Sequence, residues 1–431
     1  MKKRIYAGTG VSALVAIVAL VAMVSGAVAR SGATPLPASS CSAIQNAGGN
    51  LLIASDLPMQ GSGRTQTAQM TRAIKFIFTQ HGWKAGKYSF AYQSCDDSTA
   101  QAGKWDSGKA SANANAYAQN SSVVGVIGTF NSGAAEIEIP ILNRAPNGPI
   151  AMVSPANTYV GLTHGGPGTA AGEPGKYYPT GKRNFARVVA ADDYQGAADA
   201  ILAKSVGIKK VFILNDKEAY GLGVATNFKN AAVKLGVKVV GFTAWDGKAS
   251  SYEALAVKIK ASGAQGVFVG GLICENGGKV VKDIAAGAPG VKILMPDGFT
   301  PISATVQQAG AASEGTYVSV AGLPNTALKG AGAKFIKDFT KADKKAPDPY
   351  SVYAAQAAEA IVGAIAQSNG TRADVAKQLF KIKLANSILG TLSFNANGDV
   401  TANPVTIYKI KGGKSTTYKV IVPPNSLVKS A

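Results

Sequence analysis

The chain has 431 residues, 46% of them hydrophobic and 16% charged, and its formal charge is +20. That apolar share builds folded cores, and a chain of this length is too long for one compact core but suits two lobes. Three cysteines without a CxxC pair, and only His81 and His164 as histidines, supply a zinc site or a histidine-based catalytic triad poorly; lysines scattered without a dense run interleaved with aromatics argue against a nucleic-acid footprint.

At the N-terminus, Lys2, Lys3 and Arg4 precede a largely apolar stretch from Val11 to Val24, and Ala27-Val28-Ala29 offers the small-x-small pattern of a signal-peptidase site. The stretch from Ala7 to Ala29 is also long enough for an uncleaved anchor, but Gly8, Gly10, Ser25 and Gly26 weaken that alternative. Export with cleavage is the expectation, and it leaves a mature chain of charge +17, solvated or resting against an anionic envelope. Cys41 lacks the large aliphatic residue three positions upstream that lipidation requires. In an oxidising compartment, one disulfide and one spare thiol are the simplest arithmetic, with Cys41–Cys95 as the pair and Cys274 left over.

Short aliphatic runs then recur at Leu51–Ala54, Tyr88–Tyr92, Val123–Ile127 and Ile150–Val153, and again at Val211–Leu214, Val237–Phe242, Gly266–Val269 and Ile293–Met295. Each has the length and continuity of a parallel strand buried on both faces. Between them, Met70, Ala73, Ile74, Ile77 and Phe78 share one face of a helix over 65–80, and Val224, Phe228, Ala231, Ala232 and Leu235 do the same later. Two series of alternating strands and helices predict two α/β lobes with parallel sheets. Between the series, Gly161–Asn184 holds seven glycines and three prolines without apolar periodicity, which predicts a long surface loop and the first crossing between lobes. Beyond Met295 follow a strand at Gly315–Val320, helices near 331–342 and 350–367, and a hairpin joining Leu392–Phe394 to Val405–Ile410 through the turn Asn395–Asp399.

Motifs of hydrolases, zinc peptidases and P-loop enzymes are missing, and Gly221-Leu222-Gly223 lacks the third glycine of a dinucleotide fingerprint. The strand ends are more informative, because open parallel sheets bind ligands beyond their carboxyl edges. After Val123–Ile127, Asn131-Ser132-Gly133 opens a helix: a hydroxyl and free N–H groups there suit a carboxylate, unless Asn131 or Ser132 only caps the helix. After Ile150–Val153, Pro155 turns the chain and leaves carbonyls and the Thr158 hydroxyl off the sheet edge, as an ordinary surface turn would also do. After Ile293–Met295, Asp297 is a lone carboxylate able to accept an ammonium, or a solvated Asp-Gly turn. Together these ends suit a zwitterion held between Ser132 and Asp297.

The segments Asn131-Ser132-Gly133, Met152–Thr158 with its Ser-Pro-Ala-x-Thr core, Asn215–Gly221, Pro296–Phe299, Gly390–Phe394 and Asn397-Gly398-Asp399 resemble the type I periplasmic binding proteins, in the leucine/isoleucine/valine-binding branch of ABC importers. The resemblance spans Leu51 to Val422. It implies an α/β fold of two Rossmann-like lobes joined by a three-crossing hinge, divided as signal peptide 1–29, linker 30–49, first lobe 50–186 and 318–388, second lobe 187–317 and 389–431. It implies that Ser132 holds a ligand carboxylate, that Ala156 offers its carbonyl to the α-ammonium, that Thr158 uses its hydroxyl and N–H, and that Tyr220 lines the cleft. Asp297 stands where relatives place an acid, often glutamate, on the ammonium. Leu272 replaces an aromatic of some branched-chain binders, and Asn131 replaces a disulfide cysteine, so Cys95 needs another partner. The implied function is a monomeric extracytoplasmic receptor that closes on an amino acid or analogue and is read by a membrane permease, with no catalysis, cofactor or metal. The alternatives are a sensory binding protein of the same fold, or a binder of an amide, urea or aromatic acid.

Overall fold

The computed structural model describes residues 32–428, so the signal peptide read over 1–29 lies outside the described residues. The first half of the chain runs β1 (Leu51–Asp56), α1 (Arg64–Gln80), β2 (Tyr88–Cys95), α2 (Ser107–Gln119), β3 (Val123–Gly128), α3 (Ser132–Asn143), β4 (Ala151–Ser154) and β5 (Phe185–Arg187). These strands form one sheet in the order β2-β1-β3-β4-β5, parallel throughout, with the short rung Lys84–Ala85 added antiparallel to β2. Alternation along each strand feeds two cores. Ile53, Ile127 and Val153 face α1, whereas Leu52, Ala54, Val126 and Met152 face Tyr117 of α2 and Ile139 of α3. This two-sided burial is why the strands read as continuous apolar runs.

The chain then continues α4 (Asp192–Ser205), β6 (Lys210–Asn215), α5 (Ala219–Lys234), β7 (Lys238–Ala244), α6 (Glu253–Ala261), β8 (Gly266–Gly270), α7 (Gly278–Gly287), β9 (Lys292–Met295), α8 (Ile302–Ala309) and β10 (Tyr317–Val320). After β10 it adds α9 (Ala331–Asp343), α10 (Pro349–Ala366) and α11 (Arg372–Leu379), and it ends in β11 (Val405–Lys411) and β12 (Lys414–Ile421). The second sheet has the order β7-β6-β8-β9-β10-β11-β12, with β11 and β12 antiparallel to the rest. In its core Phe228 of α5 stacks on Phe268 of β8 with ring centroids 4.1 Å apart.

Helices α10 and α11 return to the first sheet. Pro349 starts α10 at a position that needs no N–H donor, and its alanine-rich body buries Val352, Ile361 and Ile365 with Met70 and Ile74 of α1. Arg372, at the start of α11, is buried and donates to the carbonyls of Val123 (2.8 Å), Ala118 (2.8 Å), Pro146 (2.9 Å) and Tyr117 (3.1 Å), which ties α11 to the sheet. A disulfide joins Cys41 to Cys95, stapling the extended N-terminal segment to the end of β2, and Cys274 is free.

Three sequence expectations need correction. The glycine-rich loop does not cross between lobes: it connects β4 to β5, which pair with each other in the first sheet. The crossing is the short segment between Arg187 and Asp192. β5 has only three residues, too few to register as an apolar run. The turn Asn395–Asp399 forms, closed by Asn395 N–H on Asp399 O at 2.9 Å with Gly398 at φ +94°, yet it does not join the predicted strands. Leu392 pairs with Leu384 in a separate small hairpin, and Val405–Lys411 lies between β10 and β12. Finally, β10 belongs wholly to the second sheet, so the division read between 317 and 318 cuts through a strand, and the one read at 389 cuts the small hairpin Lys383–Ser393.

At the first crossing, the fully buried Arg187 pairs with Asp399 at 2.7 Å and donates to the carbonyls of Tyr159 (2.8 Å) and Asn157 (3.2 Å). His164, from the glycine-rich loop, bridges Asp399 (3.1 Å) and Asp193 of α4 (3.2 Å). One cluster therefore ties the loop, the first residues of the second lobe and the C-terminal turn.

Candidate functional site

β3 ends at Gly128, and the chain turns through Thr129 and Phe130 into α3. Asn131 occupies the N-cap with extended backbone, but its side chain makes no capping hydrogen bond, so the capping alternative weighed for it is excluded. The first-turn N–H groups of α3 therefore keep their anion-binding capacity. Among the described residues, Ser132 Oγ takes only a long hydrogen bond of 3.4 Å from Tyr159 N–H. Gly133 is required by packing, because a Cβ there would lie 2.5 Å from the Trp105 ring.

After β4, Ser154 Oγ donates to Thr129 O (3.0 Å) and accepts from the N–H groups of Asn157 (2.7 Å) and Ala156 (3.1 Å). That local ring, with Asn157 Oδ1 on Thr129 N–H (3.2 Å), fixes Ala156 beside Ser132. This is the physical content of the Ser-Pro-Ala-x-Thr stretch.

Opposite stand residues of the second lobe. Tyr220 lies in the first turn of α5, Leu272 follows β8, and Asp297 and Gly298 follow β9. Buried Asp216 accepts from Leu272 N–H (2.8 Å) and Glu218 N–H (3.0 Å), which holds the β8 and β6 loops together. Tyr220 donates to Asp297 Oδ1 at 2.5 Å and accepts from Gly298 N–H at 2.8 Å. Gly298 allows this approach, since a Cβ would meet Gly271 O at 2.2 Å.

Between the two walls lies a narrow cavity of about 20 Å³, lined by Phe130, Asn131, Ser132 and Ala156 on one side and Tyr220, Leu272, Asp297 and Gly298 on the other. Tyr350 from α10 completes it, donating to Asp297 across the lobes and meeting Phe130 edge-on with centroids 6.0 Å apart. Six of the seven sequence-predicted ligand residues thus converge. Thr158 stands apart: buried, absent from the lining, its hydroxyl unpartnered among the described residues and its carbonyl accepting from Asp192 N–H at 2.8 Å.

Burial raises the Asp297 carboxyl above its ordinary range, against hydrogen bonds from Tyr220, Tyr350 and Gln195 that favour the anion. Burial, reinforced by the charge of Asp297, holds Asp192 well above the ordinary range. Tyr350 and Asp192 were invisible to motif reading. Tyr350 lies on the first turn of a long hydrophobic helix far along the chain, and Asp192 sits in an unremarked Asp-Asp pair at a helix start.

The lobes meet beyond the cavity as well. Lys104, in the short hairpin Ser98–Trp105, pairs with Glu275 and with Glu218 (3.2 Å), and Gln66 Nε2 donates to Thr300 Oγ1 at 3.2 Å. The arrangement is closed.

A family model described as "Periplasmic binding protein" matches residues 53–415. The chain belongs to that family. Among curated relatives of this periplasmic binding protein, the Leu/Ile/Val-binding protein homolog 3 of Brucella melitensis is 28% identical over 295 residues, covering 67% of this chain and 73% of the relative. A leucine-, isoleucine-, valine-, threonine- and alanine-binding protein of Pseudomonas aeruginosa is 28% identical over 226 residues, 52% of this chain and 59% of that one. The fold of the binding protein matches the crystal structure of a leucine-binding protein from Thermotoga maritima (TM-score 0.75, 20% identity, 86% of this chain and 99% of that one). It also matches a branched-chain amino acid transporter substrate-binding protein of Streptococcus pneumoniae in complex with isoleucine (TM-score 0.73, 17% identity, 87% and 100%). A solute-binding protein from R. palustris in complex with benzoate shares the fold (TM-score 0.70, 21% identity, 87% and 97%). The type I two-lobed architecture is therefore shared with proteins of differing ligands. Family and fold are those of extracytoplasmic solute-binding proteins rather than of enzymes.

Proposed function

We propose that this binding protein captures a small zwitterion of the amino-acid class between its lobes and delivers it, closed, to the permease of an ABC importer. The observation that carries the reading is Asp297 facing the α3 N-terminus and Ser132 across one small cavity. A ligand carboxylate rests on Ser132 Oγ and the first-turn N–H groups, while its ammonium lies between the Ala156 carbonyl and Asp297. Tyr220 and Tyr350 occupy part of the carboxylate's accepting capacity, but an ionised carboxylate offers about four lone-pair sites, so an ammonium completes the set. Phe130 and Leu272 supply apolar wall for an aliphatic side chain. Thr158 makes no ligand contact in this reading, and its carbonyl accepts from Asp192 N–H at the start of α4. An anion without an ammonium would face Asp297 unpaired, which disfavours the aromatic acids bound by some neighbours of the same fold. The names of the curated relatives support the branched-chain class.

The division into lobes follows the sheets: the first lobe through Arg187 and again over α9–α11, the second over 192–320 and from 405 onward. Cleavage after Ala29 and action as a monomer complete the proposal. Ligand binding adds no covalent step, and leucine recovered unchanged after long incubation is the expected control. Isothermal titration with leucine, isoleucine, valine, alanine and benzoate tests the ligand class. Binding of at least one amino acid that weakens by about 2 kcal/mol or more in Asp297→Ala is expected. Binding of benzoate alone, or undiminished amino-acid affinity in the variant, would remove Asp297 from the site and the zwitterion with it.

A further inference from the structure

Behind α3, at the carboxyl edge of the first sheet, the side chains of Asp56, Asp97 and Glu138 converge. One carboxylate oxygen from each lies within 4.8 Å of the other two, and all three residues have zero exposure. Asp56 ends β1, Asp97 follows β2 by two residues, and Glu138 projects from the second turn of α3. Three carboxyl groups removed together from water need compensation, because an uncompensated buried charge is among the costliest features a fold can carry.

The protein supplies almost none. Asn113 donates to both oxygens of Asp56 at 3.1 Å. Both oxygens of Asp97 and both of Glu138 have no hydrogen-bond partner among the described residues. No Lys, Arg or His stands among the groups acting on any of the three. An observation outside the acids points the same way. The Tyr117 hydroxyl is fully buried, approaches Asp56 with Glu138 and Asp97 nearby, and makes no hydrogen bond of normal geometry among the described residues. A shared proton would satisfy one pair of oxygens, whereas one cation takes an oxygen from each of the three acids at once.

We infer that Asp56, Asp97, Glu138 and the Tyr117 hydroxyl form a binding site for one hard divalent cation of calcium's size. The donors are all oxygen, which suits calcium, magnesium or manganese rather than zinc or copper. Calcium suits the site better than magnesium, because it accepts flexible mono- and bidentate carboxylate ligation, whereas magnesium demands a near-ideal octahedron and keeps several waters, for which a fully buried cluster has little room. The cluster has no opening to solvent, so the ion enters as the lobe folds, and its binding energy is folding energy. Sequence reading looked for metals through histidine and cysteine spacing and missed three carboxylates separated by more than forty residues each.

The test is to unfold the full mature chain in EDTA and refold it with CaCl2, MgCl2, MnCl2 or EDTA alone, then read melting temperature and metal content after gel filtration. Calcium is expected to be retained at one ion per chain and to raise the melting temperature by about 5 °C or more over EDTA. Asp97→Asn and Glu138→Gln are expected to lose both effects. If either fails to fold, Tyr117→Phe, which keeps the carboxylates, should retain the ion less well. Refolded wild type with no bound metal and an unchanged melting temperature in every salt would overturn the site. So would equal metal gains in wild type and in both carboxylate variants, because the ion would then sit elsewhere.

Discussion

Tyr350 carries two roles at one oxygen. Its hydroxyl donates to Asp297, and because it belongs to α10 while Asp297 belongs to the second lobe, the same hydrogen bond ties the lobes at the cavity. Tyr350→Phe keeps the ring against Phe130 and removes only the donor. A hydrogen bond to a charged group contributes about 1.5–3 kcal/mol, so affinity for the preferred amino acid should fall by roughly tenfold or more in calorimetry, with overall stability little changed. Lys104 works at the rim. Burial opposes its charge, but the hydrogen bonds and charges of Glu275 and Glu218 outweigh this and hold it above the ordinary lysine range. A half-open pair of this kind is worth about 1 kcal/mol or less, so Lys104→Gln should speed ligand release a fewfold in stopped-flow traces at low salt. Raising ionic strength should shrink that difference. Ser132 and Asp297, read from strand ends, line the cavity, whereas Thr158, read the same way, does not, and Ala156 entered only through the family resemblance. Residues were illegible where a helix from a distant segment delivers the side chain, as with Tyr350.

Among the elements, the strands and long helices follow the apolar pattern closely, because burial on two faces leaves few polar positions to confuse it. Failures came where pairing is decided by geometry rather than pattern. β5 is three residues long and takes its place from Arg187, whose backbone N–H donates to Gly398 O at 2.9 Å. Val405–Lys411 finds partners on both sides in β10 and β12, and that outcompetes the nearer Leu392–Phe394 segment. The N-terminal segment offers the opposite case. It has bridges to β2 at Gln45–Tyr92 and Cys41–Cys95, and the disulfide closes a separation of 54 residues. A cross-link of that span contributes about 2–4 kcal/mol, largely by restricting the unfolded chain. The double variant Cys41→Ser, Cys95→Ser should therefore melt several degrees lower in calorimetry while keeping ligand affinity within about twofold, because the staple lies away from the cavity.

For the molecule as a whole, the cluster at the first crossing sets a pH limit. Burial opposes protonation of His164, but hydrogen bonds and charge from Asp193 and Asp399 outweigh it and hold the imidazole at about 9. A pKa raised above the unfolded value of ~6.5 means that this contribution is fully present below pH ~6.5 and is lost as pH climbs through about 9. Wild-type melting temperature should thus fall across that window more steeply than that of His164→Gln, and thermal scans at stepped pH check it. Asp399, held below its ordinary range by Arg187 and His164 despite burial, limits the acid side, where the contribution disappears as pH drops below the usual carboxylate range. Ligand acts on the same equilibrium by mass action: at a hundred times Kd the gain is about 2.7 kcal/mol, visible as an upward thermal shift.

The order of strands has a consequence in time. One side of β10 stays open until β11 pairs with it, and β11 and β12 come last among the described strands. A nascent polypeptide emerging N-terminus first holds almost all of the second lobe with that edge still open. An open edge with apolar faces is what aggregation exploits. The last thirty or so residues therefore act as a folding gate, and a stop codon placed just before Val405 should leave a product that is insoluble or degraded even though every residue of the ligand cavity has already been synthesised.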